Sequence, residues 1–120
     1  MYPRLLIDLD KFTHNAKSLV DLCGDNGISV SAVTKVFCAD TKMVEALLKL
    51  PLGFLADCRL ENIENYPKDR KTRIMFLRLP SPSEADRIVK SCDVSLNSEL
   101  TTIKKLGESA KKQVCAIVLF

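Results

Sequence analysis

Apolar residues recur along this chain at two spacings, one that suits strands and one that suits helices, and the two alternate. Leu5 to Leu9 reads as a short strand, after which Leu9, Phe12, Ala16, Leu19, Val20 and Cys23 recur at helical spacing until Gly24 and Gly27. A second strand spans Ile28 to Lys35. Asp40 is placed to cap a helix with Met43, Val44, Leu47 and Leu48 on its inner face, ended by Pro51 and Gly53. Gly53 to Asp57 is the next strand, and a short polar helix with Leu60 and Ile63 inward closes at Pro67. Arg73 to Leu79 follows as an apolar strand framed by arginines. Ser81-Pro82-Ser83-Glu84 is a capping box with proline at the first helical position, and Ala85, Ile88, Val89 and Cys92 give that helix its buried stripe. Asp93 to Leu96 is a strand, Asn97 or Ser98 is set to cap a helix buried through Leu100, Ile103 and Ala110, and Val114 to Phe120 is a last strand.

The strands after the first begin near Ser29, Gly53, Arg73, Asp93 and Val114, a step of roughly 20 residues that is the pace of parallel βα units. No linker interrupts the series, so residues 1–120 read as one unit. Two α/β architectures fit, a doubly wound open sheet and a (β/α)8 barrel. An open dinucleotide-binding sheet carries a glycine-rich turn after its first strand, and the four glycines here form no GxGxxG or GxxxxGK run. The barrel is favoured. A full barrel needs about 250 residues, and this chain stops at Phe120 within an apolar strand, so the expectation is the N-terminal half of a (β/α)8 TIM-type barrel.

Barrel enzymes place their reactive groups at the C-terminal ends of the strands. Those ends hold Lys35, Asp57 with Arg59, Arg78 and Asn97. Period 2 puts Ile28, Val30 and Ala32 on one face and Ser29, Ser31, Val33 and Lys35 on the other, so an amine closes a lightly polar stripe. A lysine shielded from water loses solvation of its charged form, and the neutral amine that results can attack a carbonyl to form a Schiff base. In Asp93 to Asn97, Val94 and Leu96 are expected to face the outer helices, leaving Ser95 and Asn97 inward. Arg78 shares a face with Ile74 and Phe76 and could hold a carboxylate, a phenolate oxygen or a phosphate, or form a salt bridge at the rim. Asp57 and Arg59 could pair with each other or cap the next helix, and His14 lies among polar neighbours that turn it to solvent.

Composition narrows the partners. A formal charge of +3 is scattered rather than clustered, and with seven aromatic residues and no tryptophan the chain is not expected to bind nucleic acid. The five cysteines, Cys23, Cys38, Cys58, Cys92 and Cys115, form no CxxC pair, which speaks for free thiols, a cytoplasmic location and no metal site. Cys38 is closest to Lys35 and reads as a small thiol packed nearby. The apolar start is broken by Asp8 and Asp10, so neither a signal peptide nor a membrane span is expected.

Ile7-Asp8-Leu9-Asp10-Lys11 with His14-Asn15 resembles the start of alanine racemases, and Ala32-Val33-Thr34-Lys35-Val36 resembles the strand that carries their pyridoxal phosphate lysine. Leu55 to Ile63, Leu77-Arg78-Leu79-Pro80 and Ser95-Leu96-Asn97-Ser98-Glu99 are similar to the alanine/ornithine racemase branch of the fold-type III pyridoxal 5'-phosphate enzymes. The resemblance implies a cofactor-binding barrel in which Lys35 is the Schiff-base lysine and the base on one face of an amino acid substrate. Arg78 and Asn97 join it as expected cofactor contacts. It also implies that the acid on the other face is a tyrosine from a second domain of a partner subunit, so a homodimer is one expectation. Tyr2 and Tyr66 stand at the wrong positions for that role.

Lys35-Val36-Phe37-Cys38-Ala39-Asp40 departs from classical alanine racemases, which carry a tyrosine for the cofactor phosphate shortly after the lysine. The family's main phosphate anchor lies later in the barrel. These 120 residues alone are therefore expected to be inactive. The alternatives are a non-catalytic pyridoxal phosphate homeostasis protein of the same barrel family, or a fragment without function. The homeostasis proteins carry a Gly-Glu-Asn run where this chain has Ala56-Asp57-Cys58-Arg59, which favours the racemase branch.

Overall fold

The computed structural model describes residues 2–68 and 70–120, and a single sheet of five parallel strands runs through them. The strands are β1 (Ser31–Val33), β2 (Phe54–Asp57), β3 (Arg73–Phe76), β4 (Val94–Ser95) and β5 (Val118–Leu119), and their order across the sheet is their order in sequence. Helix α1 (Leu9–Gly24) precedes β1, and α2 (Thr41–Leu48), α3 (Leu60–Glu64), α4 (Ala85–Ser91) and α5 (Leu100–Gln113) fill the crossovers. A doubly wound sheet reverses its strand order at a switch point. This one never reverses, which is the winding of a (β/α)8-type barrel.

Register shows why the helices gather on one side. Ala32, Leu55 and Ile74 lie in one row, and Asp57, Phe76, Ser95 and Leu119 lie two residues further along the same face. Leu55, Ile74 and Phe76 pack with Leu60, Ile63, Ile88 and Leu106 in one core, so this face meets the helices. The opposite face carries Val33, Ala56, Met75, Val94 and Val118 in a row. An apolar row on the face away from the helices suits a barrel interior, which is filled by side chains rather than water. Where β2 enters, Gly53 donates its N–H to the Val30 carbonyl at 2.8 Å, and a Cβ there would meet the Ser29 hydroxyl.

Several sequence expectations need correction. Residues 5–8 form no strand; Asp8 instead caps α1 by accepting from the Asp10 and Lys11 backbone N–H groups, and Leu5 and Leu6 are exposed. A carboxylate that satisfies two free N–H groups of a helix start favours the cap over extended backbone. The strand expected over Ile28 to Lys35 is confined to Ser31–Val33, the stretch that runs in register with Phe54–Ala56 of β2.

Val94 and Ser95 lie the other way round from the expected orientation. Ser95 shares the helix-facing side with Phe76, where the Asn97 amide donates to its hydroxyl at 3.1 Å, while Val94 lies in the opposite apolar row. The hydrogen bond removes the cost of burying a hydroxyl among helices. Neither Asn97 nor Ser98 caps α5: Glu99 holds that position without a side-chain bond, and the Asn97 side chain turns back to Ser95.

The buried stripe of α5 is Thr102, Leu106 and Ser109, whereas Leu100 is exposed. Ser109 donates to the Asp86 carboxylate of α4 at 2.5 Å, and Gln113 donates to the Asp86 carbonyl at 3.0 Å and to Ser109 at 2.9 Å. Polar side chains occupy this helix contact because α4 supplies their partners.

Candidate active site

The C-terminal edge of the sheet gathers the sequence-selected residues, since Lys35, Asp57, Arg78 and Asn97 end or follow β1, β2, β3 and β4. Lys35 opens a 3-10 turn (Lys35–Phe37) immediately after β1. It is exposed, and among the described residues its amine makes no hydrogen bond or ion pair. The shielding expected for this lysine is therefore not provided by the described residues. Cys38 is exposed rather than packed away.

Backbone and side-chain bonds both hold this turn. Thr34, wholly buried, takes the Ala56 carbonyl with its N–H at 3.0 Å and offers its own carbonyl to the N–H groups of Phe37 and Ala39, each at 3.2 Å. The two residues that close the turn, Cys38 and Ala39, have φ of 51° and 54°. Two successive non-glycine residues in the left-handed region are a costly conformation, which the flanking bonds must hold in place.

Directly below the turn lies a buried polar chain. The Thr34 hydroxyl is 2.6 Å from Asp57 Oδ2 and 2.6 Å from the Tyr66 hydroxyl. Asp57 also accepts from the Asn62 amide at 3.0 Å and the Arg59 backbone N–H at 2.9 Å. Thr34 and Asp57 are fully buried and Tyr66 is 2% exposed. An ionised carboxylate only accepts, so the single Thr34 hydroxyl hydrogen goes to Asp57 and the Tyr66 O–H donates to Thr34. Burial pushes the Tyr66 hydroxyl up to about 12, with the Asp57 charge adding to the rise, so the phenol stays protonated.

The Asp57 carboxylate thus accepts from the Arg59 backbone N–H just ahead of α3, without capping that helix, and does not pair with the Arg59 side chain, whose guanidinium lies 4.0 Å from Cys38 Sγ. Sequence reading passed over Thr34 and Tyr66. One signal was available for Thr34: it falls on the same face as Val30 and Ala32, and a polar residue on a buried face requires a buried partner. Tyr66 carried no such signal, since it lies beyond α3 and reaches Thr34 only through the folded crossover.

Arg78 lies over the Phe76 ring, with its guanidinium carbon 4.9 Å from the ring centroid, and forks onto Glu84 at 2.8 and 2.5 Å. Its Nε donates to the Cys58 carbonyl at 3.1 Å. Glu84 in turn reaches back to the Ser81 backbone N–H at 3.0 Å, which joins Arg78 to the start of the α4 crossover. The guanidinium holds the Glu84 carboxyl below its ordinary value, and Glu84 raises that of Arg78. Asn97 is half-buried; its amide donates to the Ser95 carbonyl at 3.0 Å, and its Oδ1 is buried without a partner among the described residues. Asn97, Leu79, Pro80 and Thr102 border a cavity of about 60 Å³.

No family model matches the chain. Over 111 residues it is 39% identical to ornithine racemase of Acetoanaerobium sticklandii, a match that takes in 92% of the chain and 31% of that protein. It is 34% identical over 113 residues to lysine racemase of Thermotoga maritima, covering 93% of the chain and 32% of that protein. Over nearly its whole length the chain is similar to these two amino acid racemases. The chain spans about a third of the length of the curated relatives it matches. The crystal structure of D-threonine aldolase from Filomicrobium marinum matches all of it with a TM-score of 0.81 at 13% identity, across 34% of that aldolase chain. At that identity the likeness concerns the fold. No helix among the described residues is long and apolar enough to cross a membrane.

Proposed function

We propose that this chain carries the cofactor lysine of a pyridoxal 5'-phosphate-dependent amino acid racemase, with Lys35 as that lysine and alanine, ornithine or a related small or basic amino acid as substrate. The observation that carries this reading is a lysine without a partner among the described residues, at the C-terminal end of the first parallel strand, in a chain 39% identical to an ornithine racemase.

The residues fit the aldehyde end of the cofactor. An exposed primary amine with no ion pair among the described residues is free to reach a carbonyl carbon, and the turn that carries it is bonded on both sides. When bound, pyridoxal 5'-phosphate supplies an electrophilic carbonyl and an electron sink for the charge left when the α-proton departs. Lys35 holds the cofactor through its amine and, once released, takes or returns a proton at the substrate Cα on one face. Asn97 contributes an acceptor: its unpartnered Oδ1 suits a donor on the bound cofactor or substrate. Arg78 acts at the rim through its fork to Glu84 rather than as a free cation.

The experiment is addition of pyridoxal 5'-phosphate to the chain and to Lys35→Ala, followed by an absorbance scan. The wild-type chain is expected to develop a band that is absent from free cofactor and from Lys35→Ala. A band of equal strength in Lys35→Ala rules this reading out.

A further inference from the structure

Thr34 precedes the proposed cofactor lysine, and its N–H, carbonyl and hydroxyl are all engaged: by Ala56, by Phe37 and Ala39, and by Asp57 with Tyr66. Three elements converge on this one residue. Thr34 directly follows β1, β2 ends in Asp57, and Tyr66 follows α3, so Thr34 ties the start of the Lys35 turn to two neighbouring crossovers. The bonds run in one direction, from the Tyr66 O–H to Thr34 Oγ1 and from Thr34 O–H to the Asp57 carboxylate, and the charged terminus strengthens the last.

A buried threonine with two hydroxyl bonds would serve stability alone if the backbone beyond it were relaxed. It is not relaxed. Cys38 and Ala39 are both left-handed, and the Thr34 carbonyl holds the Ala39 N–H at 3.2 Å. Strained backbone persists where its surroundings over-determine it, and here the over-determining groups sit immediately before and after Lys35. Arg59 extends the same cluster, since its N–H bonds Asp57 and its guanidinium approaches Cys38.

We propose that Thr34, Asp57 and Tyr66 are positioning residues for Lys35: the Tyr66-to-Thr34-to-Asp57 chain fixes the strained turn so that the amine is presented to an incoming aldehyde in one orientation. This inference rests on the reading of Lys35 as the cofactor lysine. The three residues touch neither cofactor nor reacting atoms. Their effect is on the fraction of time the amine spends in an attacking geometry, a quantity to which small misplacements matter greatly.

The test uses the full chain as wild type, Thr34→Val, Thr34→Ser, Tyr66→Phe and Ser109→Ala. Ser109→Ala removes a buried hydroxyl bond between α4 and α5, away from the turn, and controls for a loss of stability alone. Two rates are read at Lys35 by peptide mapping: labelling by pyridoxal 5'-phosphate with borohydride, and acetylation relative to Lys42. Thr34→Val is expected to slow cofactor labelling of Lys35 by about tenfold. Thr34→Ser and Ser109→Ala should stay near wild type, and Tyr66→Phe, which keeps the Thr34 to Asp57 bond, should fall between.

Labelling of Thr34→Val at the wild-type rate overturns the inference, as does an equal loss in Ser109→Ala. If Thr34→Val does not fold, Tyr66→Phe carries the test, and a wild-type rate there counts against the chain. If wild-type Lys35 takes no cofactor label, the reading of function fails by itself. The acetylation arm then decides the positioning claim, which is overturned if the Lys35 to Lys42 ratio is the same in Thr34→Val and wild type.

Discussion

The side chains around Lys35 divide into an exposed amine and a buried polar chain beneath it. The buried part has a titration that can be followed without any cofactor. The Tyr66 hydroxyl rises to about 12 in the folded chain from an ordinary value of 10.0, mainly through burial. The unfolded chain therefore loses this proton first as pH rises. The Tyr66 contribution to stability is complete below 10.0 and is lost as pH climbs through about 12. Cys92 adds a loss of the same sign, since burial raises its thiol from 9.0 to about 12. Denaturant midpoints taken across that range should fall for wild type and fall less for Tyr66→Phe. Equal slopes in the two proteins would mean that Tyr66 is not held as a buried phenol.

Among the elements, the α4 crossover shows how one carboxylate serves two structures. Glu84 takes the Arg78 fork and also closes back on the Ser81 backbone N–H, so the end of β3 and the start of the helix are fastened together. The Arg78 bond holds the Glu84 carboxyl below its ordinary 4.5, so the unfolded chain takes up this proton before the folded one. Stability from this pair is present above 4.5 and is lost as pH falls below it. The pair is partly exposed, with 45% of the Arg78 side chain open to solvent, so the effect shrinks with salt. Acid melting of Glu84→Gln should show a shallower fall than wild type, and an unchanged acid slope would remove Glu84 from the account.

The capping box around Glu84 was legible from Ser81-Pro82-Ser83-Glu84 because local spacing alone dictates it. The Asp40 cap of α2 was legible for the same reason, with its carboxylate on the Lys42 and Met43 N–H groups. The stripe of α5 was not, because it includes the polar Thr102 and Ser109, and the Asp86 partner that buries Ser109 lies on α4, which apolar periodicity does not register. The orientation of β4 failed likewise, since alternation identifies two faces but not which of them meets the helices.

At the scale of the whole molecule, the roughly 20-residue step between strands was enough to propose a parallel winding, and the unreversed strand order agrees with it. The candidate site was legible only as a set of strand ends. Sequence brought Lys35, Asp57, Arg78 and Asn97 to one edge, but the hydrogen bonds that join Thr34 to Tyr66 span 32 positions and arise from the fold. The apolar row of Val33, Ala56, Met75, Val94 and Val118 forms the face that a barrel turns inward, with Val33 and Val118 still 41% and 42% exposed at its two ends.

The same scale governs turnover. The proposed racemisation would need a proton donor across from Lys35, whereas Tyr66 is buried against Thr34 and Tyr2 is exposed. Chiral chromatography of alanine, ornithine or lysine incubated with this chain and pyridoxal 5'-phosphate should show no interconversion of D and L forms. Turnover by the 120-residue chain would require a second acid among these residues.

One amine, that of Lys35, carries the proposed chemistry. Pyridoxal 5'-phosphate added to the chain, reduced with borohydride and mapped by peptide mass, should place the label on Lys35 ahead of every other lysine. A label spread evenly over the surface lysines, or concentrated on any residue but Lys35, contradicts the account.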